Sequence, residues 1–525
     1  MKIKEIFKEK KNKNLLKKCI VAFLFPIGLC IIYCMIRDIS LSDIYVPASK
    51  NNDSLFYFKL VESVRRCLVP RGYFGFNESH AAHLSFAAWS PLILMPWLIA
   101  GIIFGWGYTS AVFINILLFS VCFALFVVIA DLHSEKLGML MILFTLFPSV
   151  FIHLMCILPE APVAGLMLVF IGIAYRISKR IESEDKIGSA SFILLIVTVS
   201  YLTLLRPYMA VFFLIPFILS LKAKKKALSA VSVIAAIVSL AGYFVISEFF
   251  TADYFTPLFN LDIIKMFLHG RFTEGFYSAL YVARDMRDEL VSQVRDAFSY
   301  GLTSGTHYVL LLLEFVIAFI LLFFKKNKKV RAIGLTYLLA VAGVMSAIIL
   351  LLQKSNEGGR HIWVFCIVGL AVISLFEKDL FSNIFKCIIG AVLLVFLLRG
   401  SLIPTDYDAP IDNVNARETV AYWKDAFKEN DVKLSKGISY ENTVDWVFID
   451  YVDDAQVVTE YTGLYALPKG MGISCCSPDY ILNNFDSLKS RYIFTYDNAL
   501  VSQKCEEYNY GVVAKYGNSV MYQRY

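Results

Sequence analysis

A polytopic α-helical membrane protein with a small C-terminal α/β domain is the fold class this sequence predicts, and three observations predict it. Of 525 residues, 58% are hydrophobic and the mean hydropathy is +0.62, too apolar for an ordinary soluble globule. Apolar runs recur up to about residue 400, many near the ~20 residues that cross a bilayer as a helix. The net charge of +7 is uneven: residues 402–525 hold 18 Asp+Glu against 11 Lys+Arg, while the positive excess sits in short loops between apolar runs. Such a pattern reports topology and gives no ground for a nucleic-acid partner.

The first run, Cys19 to Ile36, follows eight lysines between Lys2 and Lys18. CMIRD follows it and offers no small-residue cleavage site, so an uncleaved span with a cytoplasmic N-terminus is expected. Further apolar runs begin at Ala87, Thr109, Leu137, Ala161, Ala190, Tyr208, Ala227, Tyr308, Ala332, Ile362 and Ile384. If all of them crossed, the basic groups at 176–186, 222–226 and 325–331 would face outside, against the positive-inside rule. If Ala87 to Gly105 does not cross, every basic cluster turns cytoplasmic. Pro91 and Pro96 suit an interfacial or re-entrant helix there.

About eleven spans are therefore expected, in a plasma membrane, with the N-terminus inside and the C-terminus outside. Residues 1–400 form the membrane domain. Its external parts are 38–108, the turns at Pro159-Glu160 and Arg206-Pro207, 250–307 and 353–361. Within 250–307, Phe276, Leu280, Ala283, Met286, Leu290, Val294 and Phe298 recur at helical spacing, which predicts a helix lying on the membrane. Residues 401–525 form the external α/β domain. It has an amphipathic helix at Arg417 to Lys428, strands at VDWVFID and RYIFTY, and a closing hairpin turning at Gly517-Asn518.

The 11 cysteines show no metal-type spacing, and Cys505 could bridge to Cys475 or Cys476. NNDSLFYFKL raises the main functional question. After Asp53, Phe56, Leu60, Val61, Val64 and Leu68 make an apolar face, and Lys59, Glu62, Ser63, Arg65 and Arg66 a polar one. Asp53 reads either as the N-cap of this helix or as a functional carboxylate, and the two are compatible.

NDSLFYF, RGYFGFNESHAAH and WSPLILMPWLIAGIIFG follow the first span in this order. Together they resemble the first external loop of the GT-C superfamily of integral-membrane glycosyltransferases, which includes protein O-mannosyltransferases and aminoarabinose transferases. CILPEAP with Glu160, LTLLRPY with Arg206, FLHGRF with His269 and Arg271, and NEGGRH with Arg360 extend the resemblance over residues 19–400. It implies transfer of a sugar, with inversion, from a polyprenyl-phosphate donor to a glycan, lipid or protein acceptor at the external face.

That chemistry needs a base for the acceptor proton and positive charge on the departing phosphate. Under the resemblance Asp53 is the base and Glu160 the second acid, with Glu78 able to substitute. Arg206, Arg271 and Arg360 are the phosphate ligands; arginine supplies that charge without a metal. His83, His269 and Tyr57 are further candidates. Each has a plainer reading: Arg206 snorkels to the interface, Arg271 and Arg360 are surface arginines, and Glu160 is a helix-start acid. No cofactor is expected, though His80, His83 and His269 could hold a divalent metal with Asp53 or Glu78. The competing functions are a lipid-linked glycan flippase or transporter, and a glycan polymerase or ligase. Transporters tend to carry internal repeats and mid-membrane acids, whereas here the charges crowd the external side.

Overall fold

The computed structural model describes residues 2–36, 38, 41, 53–67, 74–80, 90–183, 187–250, 260–301, 304–323, 328–352, 358–376, 380–399, 416–433, 447–450, 461–476, 478–497 and 499–525. The chain opens with α1 (Lys2–Ile36), whose part from Lys13 is long and apolar enough to span. The first loop supplies α2 (Asp53–Cys67), the short hairpin β1 (Phe74–Phe76) and β2 (Ser79–His80), and then α3 (Met95–Phe104), entered through a 3-10 turn at Pro91–Leu94. α4 (Ser110–Ala130) follows as a second span.

The expectation that Ala87 to Gly105 does not cross has a geometric counterpart. At 10 residues α3 is about 15 Å long, half the hydrocarbon thickness. Lys18, just before the apolar part of α1, also donates its Nζ proton to Leu132 O, just past the end of α4, at 2.5 Å. The two spans therefore run antiparallel, and everything between them begins and ends on one face.

The next elements are α5 (Ser134–Thr145), α6 (Ser149–Leu154), α7 (Glu160–Glu182), α8 (Ser189–Leu205), α9 (Leu214–Lys222) and α10 (Lys226–Phe250). The apolar run Leu137 to Met155 is not one helix. It breaks at Leu146–Pro148 because Pro148 has no N–H to donate. The run from Tyr208 likewise begins as a 3-10 helix, Pro207–Phe213, before α9. α4 and α7 approach closely through small residues: a Cβ at Gly165 would stand 3.0 Å from the Cys122 Cβ, and one at Gly172 3.2 Å from the Phe126 ring.

α11 (Asp262–Leu268) and α12 (Phe272–Tyr300) form a hairpin turning at Gly270, whose φ of +74° needs glycine. α12 covers the predicted surface helix. Its axis meets that of α13 (Ser304–Phe323) at 103°, so a spanning α13 leaves α12 along the membrane surface. α14 (Lys328–Leu352), α15 (Gly358–Leu375) and α16 (Leu380–Arg399) complete the bundle. Among the described residues four helices meet the length and apolarity of a span, five with the bent pair α12–α13, and several shorter apolar helices pack among them.

Helix ends pair by face. Lys136 Nζ donates to Leu375 O at 2.7 Å and Lys225 Nζ to Ile187 O at 2.7 Å, on ends expected to be cytoplasmic. Lys136 also suits the negative end of the α15 dipole. A cysteine replacing Ala223, in an otherwise cysteine-free chain, is expected to resist an impermeant thiol reagent added outside, while one replacing Ser487 reacts. Labelling at 223 from outside would invert the loop assignments.

The C-terminal region holds α17 (Ala416–Glu429), β3 (Val447–Asp450), α18 (Tyr461–Leu464), β4 (Ile473–Cys476), α19 (Pro478–Asn483), β5 (Tyr492–Tyr496), α20 (Leu500–Glu507), β6 (Tyr510–Tyr516) and β7 (Ser519–Arg524). β6 and β7 form the expected hairpin about Gly517-Asn518. The sheet order is β2-β1-β4-β3-β5-β7-β6, with β1, β4, β3 and β5 mutually parallel. Two of the seven strands thus come from the first loop, almost 400 residues away in sequence. Cys475 and Cys505 are both buried and are not bridged to each other; burial pushes the Cys475 thiol up to about 12.

Candidate active site

Three helix ends meet on one face of the bundle. α7 begins at Glu160, after Pro159 and with Pro162 in its first turn, where proline is tolerated. α8 ends at Arg206 because Pro207 forces the preceding residue into extended backbone, φ −147° and ψ 114°. α15 starts at Gly358 and carries His361 in its first turn. Glu160, Arg206 and His361 are each buried to 1% exposure or less.

The Arg206 guanidinium is the hub. Its Nη2 donates to Glu160 Oε1, and its Nη1 donates to the Tyr208 hydroxyl at 2.7 Å and meets His361 Nδ1. The Tyr208 hydroxyl lies 3.3 Å from the same His361 nitrogen, and Glu160 Oε1 is 4.0 Å from it. His153, in α6, stacks on Trp363, two residues after His361 in α15, with ring centroids 4.4 Å apart. Burying charge is tolerated when it is paired and hydrogen-bonded, and this cluster meets both conditions. It joins Glu160 and Arg206, both singled out in the sequence. Tyr208 and His361 were not singled out, although each adjoins a named arginine motif.

The first loop is tied to this cluster through a chain of contacts. Tyr57, buried, sets its ring 5.7 Å from Trp97 of α3. Trp97 Nε1 donates to Asn115 Oδ1 of α4 at 2.7 Å, and Asn115 Nδ2 donates to Cys156 O at 2.7 Å, four residues before Glu160. Asn115 is fully buried, so losing either bond would leave a polar group unsatisfied at a cost of about 1–3 kcal/mol. Tyr57 thus reports on packing between α2 and α3.

Asp53 is the first residue of α2 and Arg360 lies in the first turn of α15; their side chains, like that of His80 in β2, fall outside the described part. His83 lies outside the described residues. The helix headed by Asp53 departs from the half-exposed helix read in the sequence: Ser54, Leu55, Phe58, Lys59, Leu60 and Val61 are all buried. Lys59, assigned to the polar face, is 3% exposed because the C-terminal domain covers it. Its Nζ donates to Tyr465 O and Leu467 O, both at 3.3 Å, and to Glu62 at 3.2 Å.

Glu78 stands in the β1–β2 turn with φ +62°. Its Oε1 accepts from Lys489 N, Ser490 N and Ser490 Oγ, each at 2.9 Å, which fastens the first loop to the C-terminal sheet. Arg271 and His269 are exposed at the α11–α12 turn. Arg271 pairs with Glu274, and that contact holds the Glu274 carboxyl below its ordinary value. His269 Nδ1 lies 2.7 Å from Lys265 O. Among the described residues no three His, Cys, Asp or Glu side chains converge as metal ligands.

No protein-family model matches the chain, and no curated protein matches it in sequence. A search of solved structures finds the crystal structure of the Archaeoglobus fulgidus oligosaccharyltransferase in its apo form. The match covers 96% of this chain and 74% of that one, with a TM-score of 0.50 and 11% sequence identity. Oligosaccharyltransferase is a GT-C enzyme, so the resemblance first carried by short motifs is matched by a likeness along nearly the whole chain. The chain shares its fold with that oligosaccharyltransferase.

Proposed function

We propose that this protein is a membrane glycosyltransferase. It moves a sugar, with inversion, from a polyprenyl-phosphate-linked donor to a glycan, lipid or protein acceptor on the external face of the membrane. The observation that carries the reading is the buried meeting of Glu160, Arg206, Tyr208 and His361 at three helix ends of a GT-C fold.

Asp53, the first residue of α2, acts as the general base. Arg206 and Arg360 meet the phosphate, and Arg271 joins them from the α11–α12 turn. Positive groups whose contacts strengthen as charge develops on the leaving phosphate lower the barrier itself. Glu160 holds Arg206 in position and offsets its charge. Tyr208 and His361 fix the guanidinium plane, so that its donors face one direction.

The test is transfer by the purified full chain in detergent, supplied with lipid-linked sugars extracted from membranes. Freed polyprenyl phosphate and a glycosidic bond of opposite anomeric configuration are expected. EDTA should change the rate little, because the arginines take the place a metal would occupy. Inactivation by EDTA, restored by a divalent cation, would replace this scheme with a metal site drawing on Asp53, His80, His83 or His269.

A further inference from the structure

A cavity of about 790 Å³ opens between the first loop and the C-terminal domain, within the range of small-molecule sites. One wall is aromatic. The buried Phe58 ring of α2 is stacked with Trp106 at 5.5 Å and Tyr108 at 5.6 Å, and Tyr465 tilts against it at 5.1 Å. Trp106 and Tyr108 are only half buried, so their rings take part in the lining. Trp106 is held in place by its Nε1, which donates to Phe58 O at 3.3 Å.

The opposite wall is α17 and its C-terminal turn. It carries Lys424, Asp425, Lys428 and Asp431, with Glu62 and Lys469 at the edges. These are three ammonium groups and three carboxylates, so the lining has no net charge with which to select an anion. It offers donors and acceptors in alternation beside aromatic faces. That combination suits an uncharged polyhydroxyl chain, whose hydroxyls need both donors and acceptors and whose ring faces are apolar. An extended peptide fits less well. The backbone carbonyls of Tyr465 and Leu467 at this wall already accept from Lys59, and among the described residues no strand lines the cavity.

We infer that this groove binds an uncharged oligosaccharide, with Trp106 and Tyr108 as the stacking platform and Lys424 and Asp425 bonding its hydroxyls. Trp106 stands four residues before the span α4, so a glycan lying here would run out from the membrane surface. Naming this glycan as the acceptor rests on the transfer reading above; the binding itself does not.

The experiment probes a printed array of uncharged oligosaccharides, anionic oligosaccharides and short peptides with the detergent-purified full chain, followed by titration of the best ligand. Uncharged oligosaccharides are expected to be retained. Trp106→Ala should raise Kd about tenfold or more. Lys424→Ala/Asp425→Ala should raise it about fivefold or more. Both residues of this double variant are exposed on α17, which keeps the test informative if Trp106→Ala fails to fold. Retention of peptides or of anionic glycans in preference, no retention at all, or unchanged Kd in the folded variants would overturn the inference. Sugar binding by a chain that consumes no donor would overturn the transfer reading alone and leave the groove a glycan site. Transfer that persists with unaltered sugar binding in both variants would overturn the groove alone.

Discussion

Asp53→Asn is expected to lower sugar transfer by about 10²–10⁴-fold, the usual contribution of a general base. Asparagine caps a helix about as well as aspartate, so α2 should form as before. Leu55, Phe58, Leu60 and Val61 are buried and hold that helix by packing. Expression, thermal stability and donor binding should therefore stay near those of the parent. Near-normal turnover would reduce Asp53 to a cap. The base would then be sought at Glu160, since Glu78 is committed to Lys489 and Ser490.

The second large effect concerns the Glu160–Arg206 pair. Removing one partner of a buried ion pair leaves an uncompensated charge and costs about 3–5 kcal/mol. Arg206→Met and Glu160→Gln are each expected to lower the unfolding temperature clearly. The double variant should fall by less than the sum of the two, because no lone charge remains. Activity separates structure from chemistry here. A double variant that folds but transfers nothing places Arg206 at the phosphate. One that folds and transfers normally leaves the pair a packing device.

Much of the bundle was legible because the bilayer imposes a long apolar signature: α4 and α10 were read to within a residue of their limits, while α1 and α7 extend beyond the apolar run into charged residues. That α3 is too short to span as a straight helix agrees with the charge pattern, since one more crossing would have reversed every later basic loop. A short-range break was missed where proline acts alone inside an apolar run, as at Pro148. The joint sheet was beyond reach. β1 is only the tripeptide FGF, and its pairing with Ile473–Cys475 depends on a contact that no local pattern encodes. For the same reason Lys59 read as a solvent-facing lysine, when the covering segment at 465–467 lies over 400 residues on.

Of the site, the residues carrying charge were legible and their partners were not. Glu160 and Arg206 were named from separate motifs, and their direct pairing came only with the fold. His361 and Tyr208 sit beside Arg360 and after Pro207, yet a single histidine or tyrosine at a span end has no pattern of its own. Arg206 had a plain alternative as an interfacial snorkel, but its full burial among three helix ends excludes that reading.

The most direct measurement of the central claim is mass spectrometry of cell-surface glycans from cells with the intact gene, cells lacking it, and cells carrying Asp53→Asn. Loss of one defined sugar or oligosaccharide unit in both altered strains, with its polyprenyl-linked precursor accumulating, is the result a transferase requires. An unchanged glycan profile in cells that express the protein would contradict it. So would loss of the unit in the deletion but not in Asp53→Asn, which would point to carriage of the lipid-linked glycan across the membrane.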